Sequence, residues 1–332
     1  MIRAAIVGLG RWGRNLVEAS PDDGRFKIVR AVEPDIRAAQ GFCNEHRLDL
    51  TDNLDAVLAD SAIDAVLLAT PHSLHPGQVI ACAAAQKQVF CEKPLALRRA
   101  DAIRMFEACR EAGVNLAVGH SRRFWPSMRA LRDIVAGGEL GIILHIEGHN
   151  SNENSNNVLA GWRLAPEESP GGGLTGAGLH ILDAFVSMLG PVHRVYAQLK
   201  QRKEEPPPLD TAILTLDFVN GVTGTLATVR ATPFYWRIHV FGTMGSAEVL
   251  DEITLVLRTS GNKPVRMNYP AVDVLRAELN AFVDAIEGKA PFPVPELEVL
   301  ATLSSFEAAL QSMASGVPVV CDLPEASRHG RR

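Results

Sequence analysis

No two cysteines in this 332-residue chain stand in a CxxC spacing, and the five present, Cys43, Cys82, Cys91, Cys109 and Cys321, are scattered and odd in number. That excludes a disulfide framework and a cysteine-built metal site, so no metal is expected, and it fits reduced thiols in a cytosol. No uninterrupted apolar run approaches membrane-spanning length, and Met1 leads straight into Ala4-Ala5-Ile6-Val7 without a charged leader and cleavage site. The expectation is a cytoplasmic protein with no membrane partner. Excess positive charge is missing as well: a formal net charge of -5 gives nucleic acid nothing to bind. Internal repeats are also absent. What remains is ordinary, 47% hydrophobic and 21% charged, in a length that about 150 residues per domain divides into two.

The first apolar run, Ile2 to Val7, reads as a buried parallel strand, and Gly8-Leu9-Gly10-Arg11-Trp12-Gly13 follows it at once. This is G-x-G-x-x-G between a strand and a helix. Gly8 permits the tight turn, Gly10 lets backbone approach a pyrophosphate, and Gly13 lets the helix that begins near Trp12 pack on the strand, with Arg11 and Trp12 counted among the cofactor-binding candidates. Backbone N–H groups at the helix start would hold the phosphates. A second strand, Lys27 to Val32, ends at Glu33, twenty residues after Gly13, where an acid accepts hydrogen bonds from the adenosine ribose hydroxyls. A carboxylate there repels a 2′-phosphate, so NAD is expected over NADP. Arg30 and Arg37 are the residues able to offset that repulsion, which leaves NADP open.

Helical periodicity in Ile36 to His46 and Leu54 to Ala59 precedes a third strand, Ala65 to Ala69, which ends in Thr70-Pro71-His72-Ser73-Leu74-His75. His75, at the start of a helix running to about Ala85, is either a residue near the nicotinamide or the holder of a purely structural hydrogen bond. Val89 to Cys91 is the fourth strand and stops at Glu92-Lys93-Pro94. Pro94 cannot donate to a sheet ladder, so Lys93 points off the carboxyl end of the strand, where ligands bind in parallel sheets. Glu92 either anchors the turn or touches ligand. A helix, Ala100 to Ala112, and a fifth strand, Asn115 to Val118, complete the first domain, set at residues 1–121. The basic pair Arg122-Arg123 beyond it reads as a domain-junction brace, with Arg123 also a candidate substrate contact.

From residue 122 to 332 the pattern changes. After a helix near Met128 to Ala136, Ile142–Gly148, Val192–Leu199, Ala212–Phe218, Val222–Val229 and Ile238–Phe241 read as strands with turns such as Asn220-Gly221 between them. Successive strands without intervening helices predict an antiparallel or mixed sheet. Leu174 to Leu189 is the helix expected to cover one of its faces. Leu275 to Ile286 and Glu296 to Met313 are amphipathic, Gly316 stops the second of them, and Arg328 to Arg332 reads as a frayed tail. Pro206-Pro207-Pro208 reads as a surface loop, and the polar run from Asn150 to Asn157 as either a flexible segment or a sugar-binding loop.

These motifs, continued by Val118-Gly119-His120-Ser121-Arg122-Arg123-Phe124, Gly161-Trp162-Arg163-Leu164, Gly171-Gly172-Gly173 and Gly178-Leu179-His180-Ile181-Leu182-Asp183, resemble in order and spacing the glucose-fructose oxidoreductase / inositol dehydrogenase / MocA family. The resemblance implies an α/β fold: an N-terminal Rossmann domain, and a C-terminal α/β domain with a large open mixed or antiparallel sheet through which copies assemble, as a homodimer or homotetramer. It implies an NAD-dependent oxidoreductase acting on a secondary hydroxyl of a sugar, cyclitol or related polyol. Lys93 and His180 match the family's active-site lysine and histidine; both can carry a proton, histidine titrating near neutrality. Arg163 and Asp183 are further candidates for contact with substrate, Arg163 equally a link between domains. In inositol dehydrogenase-like members an aspartate lies one helical turn before the histidine, and here Gly176 stands instead. An NAD-using glycosidase of the same fold and a catalytically silent NAD-binding sensor are the alternatives.

Overall fold

The structure, a computed structural model, describes residues 1–21, 23–153, 162, 165–202 and 210–323. The chain divides into two compact units, Met1–Ser121 with Asp273–Glu296, and Arg122–Val272 with Leu297–Arg332. The sequence reading of 122–332 as one continuous domain therefore differs from the structure in residues 273–296. They carry a helix, α8 (Val274–Ile286), whose Leu279, Phe282 and Val283 join the core of the first unit.

The first unit is a six-stranded parallel sheet built from β1 (Ile2–Val7), β2 (Phe26–Val32), β3 (Asp49–Thr51), β4 (Ala65–Leu68), β5 (Gln88–Glu92) and β6 (Leu116–Gly119). Their order, β3-β2-β1-β4-β5-β6, is that of a dinucleotide-binding sheet, reversing between β1 and β4. Five strands are legible in sequence; β3 is the sixth, and its three residues are too few to show a period. All of β4 is buried, as are Val89, Phe90 and Cys91 of β5, because helices cover both faces. Those runs are accordingly continuous rather than alternating. Phe90 packs on Phe282 of α8 with ring centroids 5.8 Å apart, so the late helix fills the same core. Asp35 caps α2 (Ile36–His46) by accepting the N–H of Ala38, and Asp273 caps α8 by accepting that of Arg276.

The second unit carries a nine-stranded mixed sheet, ordered β14-β13-β12-β11-β7-β10-β9-β8-β15. Its strands are β7 (Ile143–Ser151), β8 (Val192–Lys200), β9 (Thr211–Phe218), β10 (Thr223–Val229), β11 (Tyr235–Gly242), β12 (Gly245–Val249), β13 (Thr254–Thr259), β14 (Val265–Asn268) and β15 (Val319–Val320). Only β7 and β10 pair in parallel; the other ladders are antiparallel. In β9, Ala212, Leu214, Leu216 and Phe218 are buried while the residues between them are not, which is the alternation of a sheet with one covered face. The cover is α7 (Leu179–Leu189), entered through a π-helical turn at Leu174–Gly178. Gly148 of β7 admits it: a Cβ there would lie 2.3 Å from Ile181 Cγ2 and 2.8 Å from Phe185 Cζ. β7 also continues past Gly148, where the sequence reading ended it, so Asn150 and Ser151 are buried strand residues rather than loop.

Candidate active site

Three glycines in the loop after β1 are glycines for different reasons. Gly8 has φ +90°, and a Cβ on it would meet the carbonyl oxygen of Ala69 at 2.8 Å. Gly13 is tighter still, its Cβ falling 1.8 Å from the carbonyl oxygen of Gly8. Both are demanded by the protein's own packing. Gly10 has nothing within 4 Å of such a Cβ, at the N-cap of α1 (Arg11–Glu18). Its small size serves open space in front of the helix start, where a phosphate group would be held by the backbone N–H groups. Arg11 is exposed and reaches over Trp12, its guanidinium 5.6 Å from the ring centroid.

Glu33, just past β2, turns back on the same loop. Its Oε2 accepts the N–H of Leu9 at 2.7 Å, so the acid is fixed beside the phosphate cradle. Arg30, one of the two cations able to favour a 2′-phosphate, is held by Asp60 at 2.9 Å instead. Arg37 is exposed. Sequence reasoning passed over Arg14, which brackets the loop from the helix side by donating from Nε to the carbonyl of Leu9 at 3.0 Å.

The carboxyl ends of β4 and β5 are tied together by His75. Fully buried, it places Nδ1 3.0 Å from the carbonyl oxygen of Pro94 and Nε2 3.1 Å from that of Thr70. Carbonyls only accept, so satisfying both contacts needs a proton on each ring nitrogen. Of the two roles open to His75, the structural one is visible here. Thr70 donates its hydroxyl to Gln78 and presses Cγ2 toward Gly8, while Pro71 precedes the short turn at His72–Leu74.

Lys93 follows β5 and is half-buried; its bond to Pro94 is cis. Glu92 is buried against Gly119 of β6, where a Cβ would come within 3.1 Å of its carboxyl carbon. Burial pushes the Glu92 carboxyl up to about 7, with the Lys93 charge and its N–H, 3.3 Å from Oε2, pulling the other way. The chain thus places an acid that titrates near neutrality next to its best candidate lysine.

In the second unit, Arg123 is buried and its Nε and Nη2 grip Asp183 at 2.8 and 2.6 Å, while Nη1 donates to Glu298. Burial alone would lower this guanidinium, but the two carboxylates more than offset it and raise it above its ordinary value. The structure brings Arg123 and Asp183 to each other, and both carboxylate oxygens of Asp183 face the arginine. Arg122 lies over Trp125, 4.1 Å from the ring centroid, and burial lowers it to about 10. His180 is buried at the second position of α7. Gly176, on the π-helical turn before it, is exposed with open space where a Cβ would project. Arg163, Asn154 to Asn157 and Pro206-Pro207-Pro208 lie outside the described residues, as does Arg328 to Arg332. Among the described residues there is no group of three metal-ligating side chains, and no helix is long and apolar enough to cross a membrane.

A parallel sheet in dinucleotide-binding order, with an open glycine cradle at its first strand and a carboxylate set beside it, defines an NAD-binding Rossmann protein. Residues 2–120 match the family described as "Oxidoreductase family, NAD-binding Rossmann fold", and residues 128–248 match the GFO/IDH/MocA C-terminal domain. The chain belongs to this Gfo/Idh/MocA oxidoreductase family, and NAD is its cofactor. It is similar to the 2,7-anhydro-N-acetylneuraminate hydratase of Escherichia coli, 29% identical over 79% of this chain and 71% of the other. It is likewise similar to the myo-inositol 2-dehydrogenase of Thermotoga maritima, 28% identical over 87% and 90% of the two chains. A solved structure from Desulfitobacterium hafniense, assigned as an NADPH-dependent oxidoreductase, superposes with a TM-score of 0.89 at 27% identity, covering 96% of this chain and 97% of that one.

Proposed function

We propose that this protein is an NAD-dependent dehydrogenase that moves hydride between the nicotinamide and a secondary hydroxyl of a sugar, cyclitol or related polyol. The observation that carries the reading is Lys93 at the carboxyl end of β5, two strands from the glycine cradle at the end of β1, about 10 Å across the sheet. Gly8, Gly10, Gly13 and Glu33 would hold the dinucleotide, which when bound supplies the hydride acceptor. Lys93 would donate a hydrogen bond to the reacting oxygen and so tune the departure of the hydroxyl proton, and the neighbouring Glu92 carboxyl modulates the lysine's charge. His180 is the second unit's own candidate for exchanging a proton with solvent. The inositol dehydrogenase relative supports the substrate class.

A polyol panel followed by the absorbance of reduced nicotinamide tests this. Lys93→Ala and His180→Ala are each expected to lower kcat by about a hundredfold or more. Full turnover in both variants on a substrate found that way would remove the proposed site.

The hydratase relative favours a second reading, redox-neutral use of bound NAD by a glycosidase-like enzyme. That reading expects product without accumulation of reduced cofactor.

The setting we infer is cytoplasmic, in keeping with five unpaired, buried cysteines. Assembly as a homodimer or homotetramer would use the uncovered face of the second sheet, where Leu144, Ile213 and Tyr235 stand exposed.

A further inference from the structure

Two arginines of the second unit are buried, and their surroundings are opposite. Arg123 is closed by two carboxylates. Arg230, which follows β10 and is only 8% exposed, has no hydrogen bond or ion pair to its side chain among the described residues; its backbone N–H alone is engaged, on the carbonyl of Asp210. Burial lowers its guanidinium below the ordinary value, and no carboxylate among the described residues offsets that. Its guanidinium nitrogens are not among the polar atoms sealed from solvent, so the stem is buried while the head stays open to a ligand that could pair with it.

The surroundings are built for entry of that side chain. A Cβ on Gly173 would lie 3.1 Å from Arg230 Cγ and 3.2 Å from Cδ, so the glycine makes room for the stem. The same Cβ would lie 2.5 Å from the hydroxyl of Thr228, which is fully buried and without a hydrogen-bond partner. Gly173 opens the π-helical turn that carries Gly176 and leads into His180. At 1.5 Å of rise per residue, roughly 10 Å of helix separates Gly173 from His180. Gly176 leaves open space in between.

We propose that Arg230 anchors a carboxylate of the substrate, so that the substrate is a hydroxylated carboxylate, a sugar acid rather than a neutral polyol. The inference deepens the dehydrogenase reading above and rests on it. The planar guanidinium matches a carboxylate edge to edge through paired N–H donors, and a single cation balances a single negative charge.

The test uses the NADH-loaded protein titrated with D-glucuronate and D-gluconate, against D-glucose, myo-inositol and D-glucose 6-phosphate. The acids are expected to bind at least about tenfold more tightly than the neutral compounds, a hydrogen-bonded charge being at stake. Arg230→Met, which keeps an apolar stem of similar length, is expected to erase that selectivity while leaving the Tm of the ligand-free protein within about 2 °C of the wild type. Arg230→Lys should keep part of the selectivity. Equal binding of acids and neutral compounds, absence of binding by any of them, a preference for the phosphate alone, or selectivity unchanged in Arg230→Met overturns the proposal. Acid-selective binding that Arg230→Met abolishes, with no oxidation of the acid by NAD, leaves the anchor standing and removes the dehydrogenase reading.

Discussion

Glu33 and Leu9 stand 24 residues apart in sequence, yet the glutamate's Oε2 accepts the leucine's N–H at 2.7 Å. The bond fixes the acid at the end of β2 against the glycine cradle at the end of β1. A carboxylate held there would accept from ribose hydroxyls and repel a 2′-phosphate. Glu33→Ala is expected to weaken NAD binding by about tenfold or more and to narrow the gap between NAD and NADP. Cofactor titration by fluorescence measures both, and wild-type preference for NADP would refute the role given to Glu33.

Gly10 and Gly13 separate the needs of ligand from the needs of fold. With open space around its Cβ position, Gly10→Ala should leave the Tm of the cofactor-free protein almost unchanged while NAD binding drops steeply. Gly13→Ala drives a methyl into the Gly8 carbonyl and should cost at least about 3 kcal/mol or prevent folding. Thermal melts with and without NAD distinguish the two; a Gly10→Ala protein with normal affinity would show that the cradle holds something else.

Glu92 makes stability depend on pH. Its carboxyl is raised from 4.5 to about 7, so between those values the folded protein holds a proton that the unfolded chain releases. Stability from this group is therefore full below about 4.5 and is lost as pH rises through about 7. Glu92→Gln has no such dependence. In urea unfolding, the variant should gain on the wild type by about 2–3 kcal/mol between pH 5 and pH 8. The same difference at both pH values would mean that Glu92 is not buried as described.

The Arg123–Asp183–Glu298 cluster is predicted to be structural. Removing one partner strands a buried charge, so Asp183→Asn should cost about 3–5 kcal/mol. The double variant Arg123→Met/Asp183→Leu should recover much of that loss, since Glu298, with its side chain 27% exposed, can turn to water. If Asp183→Asn changes stability by less than about 1 kcal/mol while turnover collapses, Asp183 belongs to the chemistry instead.

Local pattern determined a great deal of this protein. Continuous apolar runs marked β1, β4 and β5 because strands buried on both faces have no polar side to show. The glycine spacing and the Lys93-Pro94 strand end were legible because each requirement falls within a few residues of chain, and Glu33 because it closes the next strand at a fixed spacing of twenty residues from Gly13. Alternation in β9 likewise announced a sheet with one covered face.

Tertiary structure decided what depends on partners far apart in sequence. Nothing in the sequence of α8 says that it returns to the first sheet, since an amphipathic face does not name the surface it will cover. The three residues of β3 and the two of β15 are strands only because a neighbour pairs with them. Arginines show the limit most clearly. Arg123 and Arg230 are the same side chain in sequence, and only the folded chain surrounds one with two carboxylates and leaves the other with none among the described residues. Charge compensation is a property of positions in space, and for these two residues the sequence carries no sign of it.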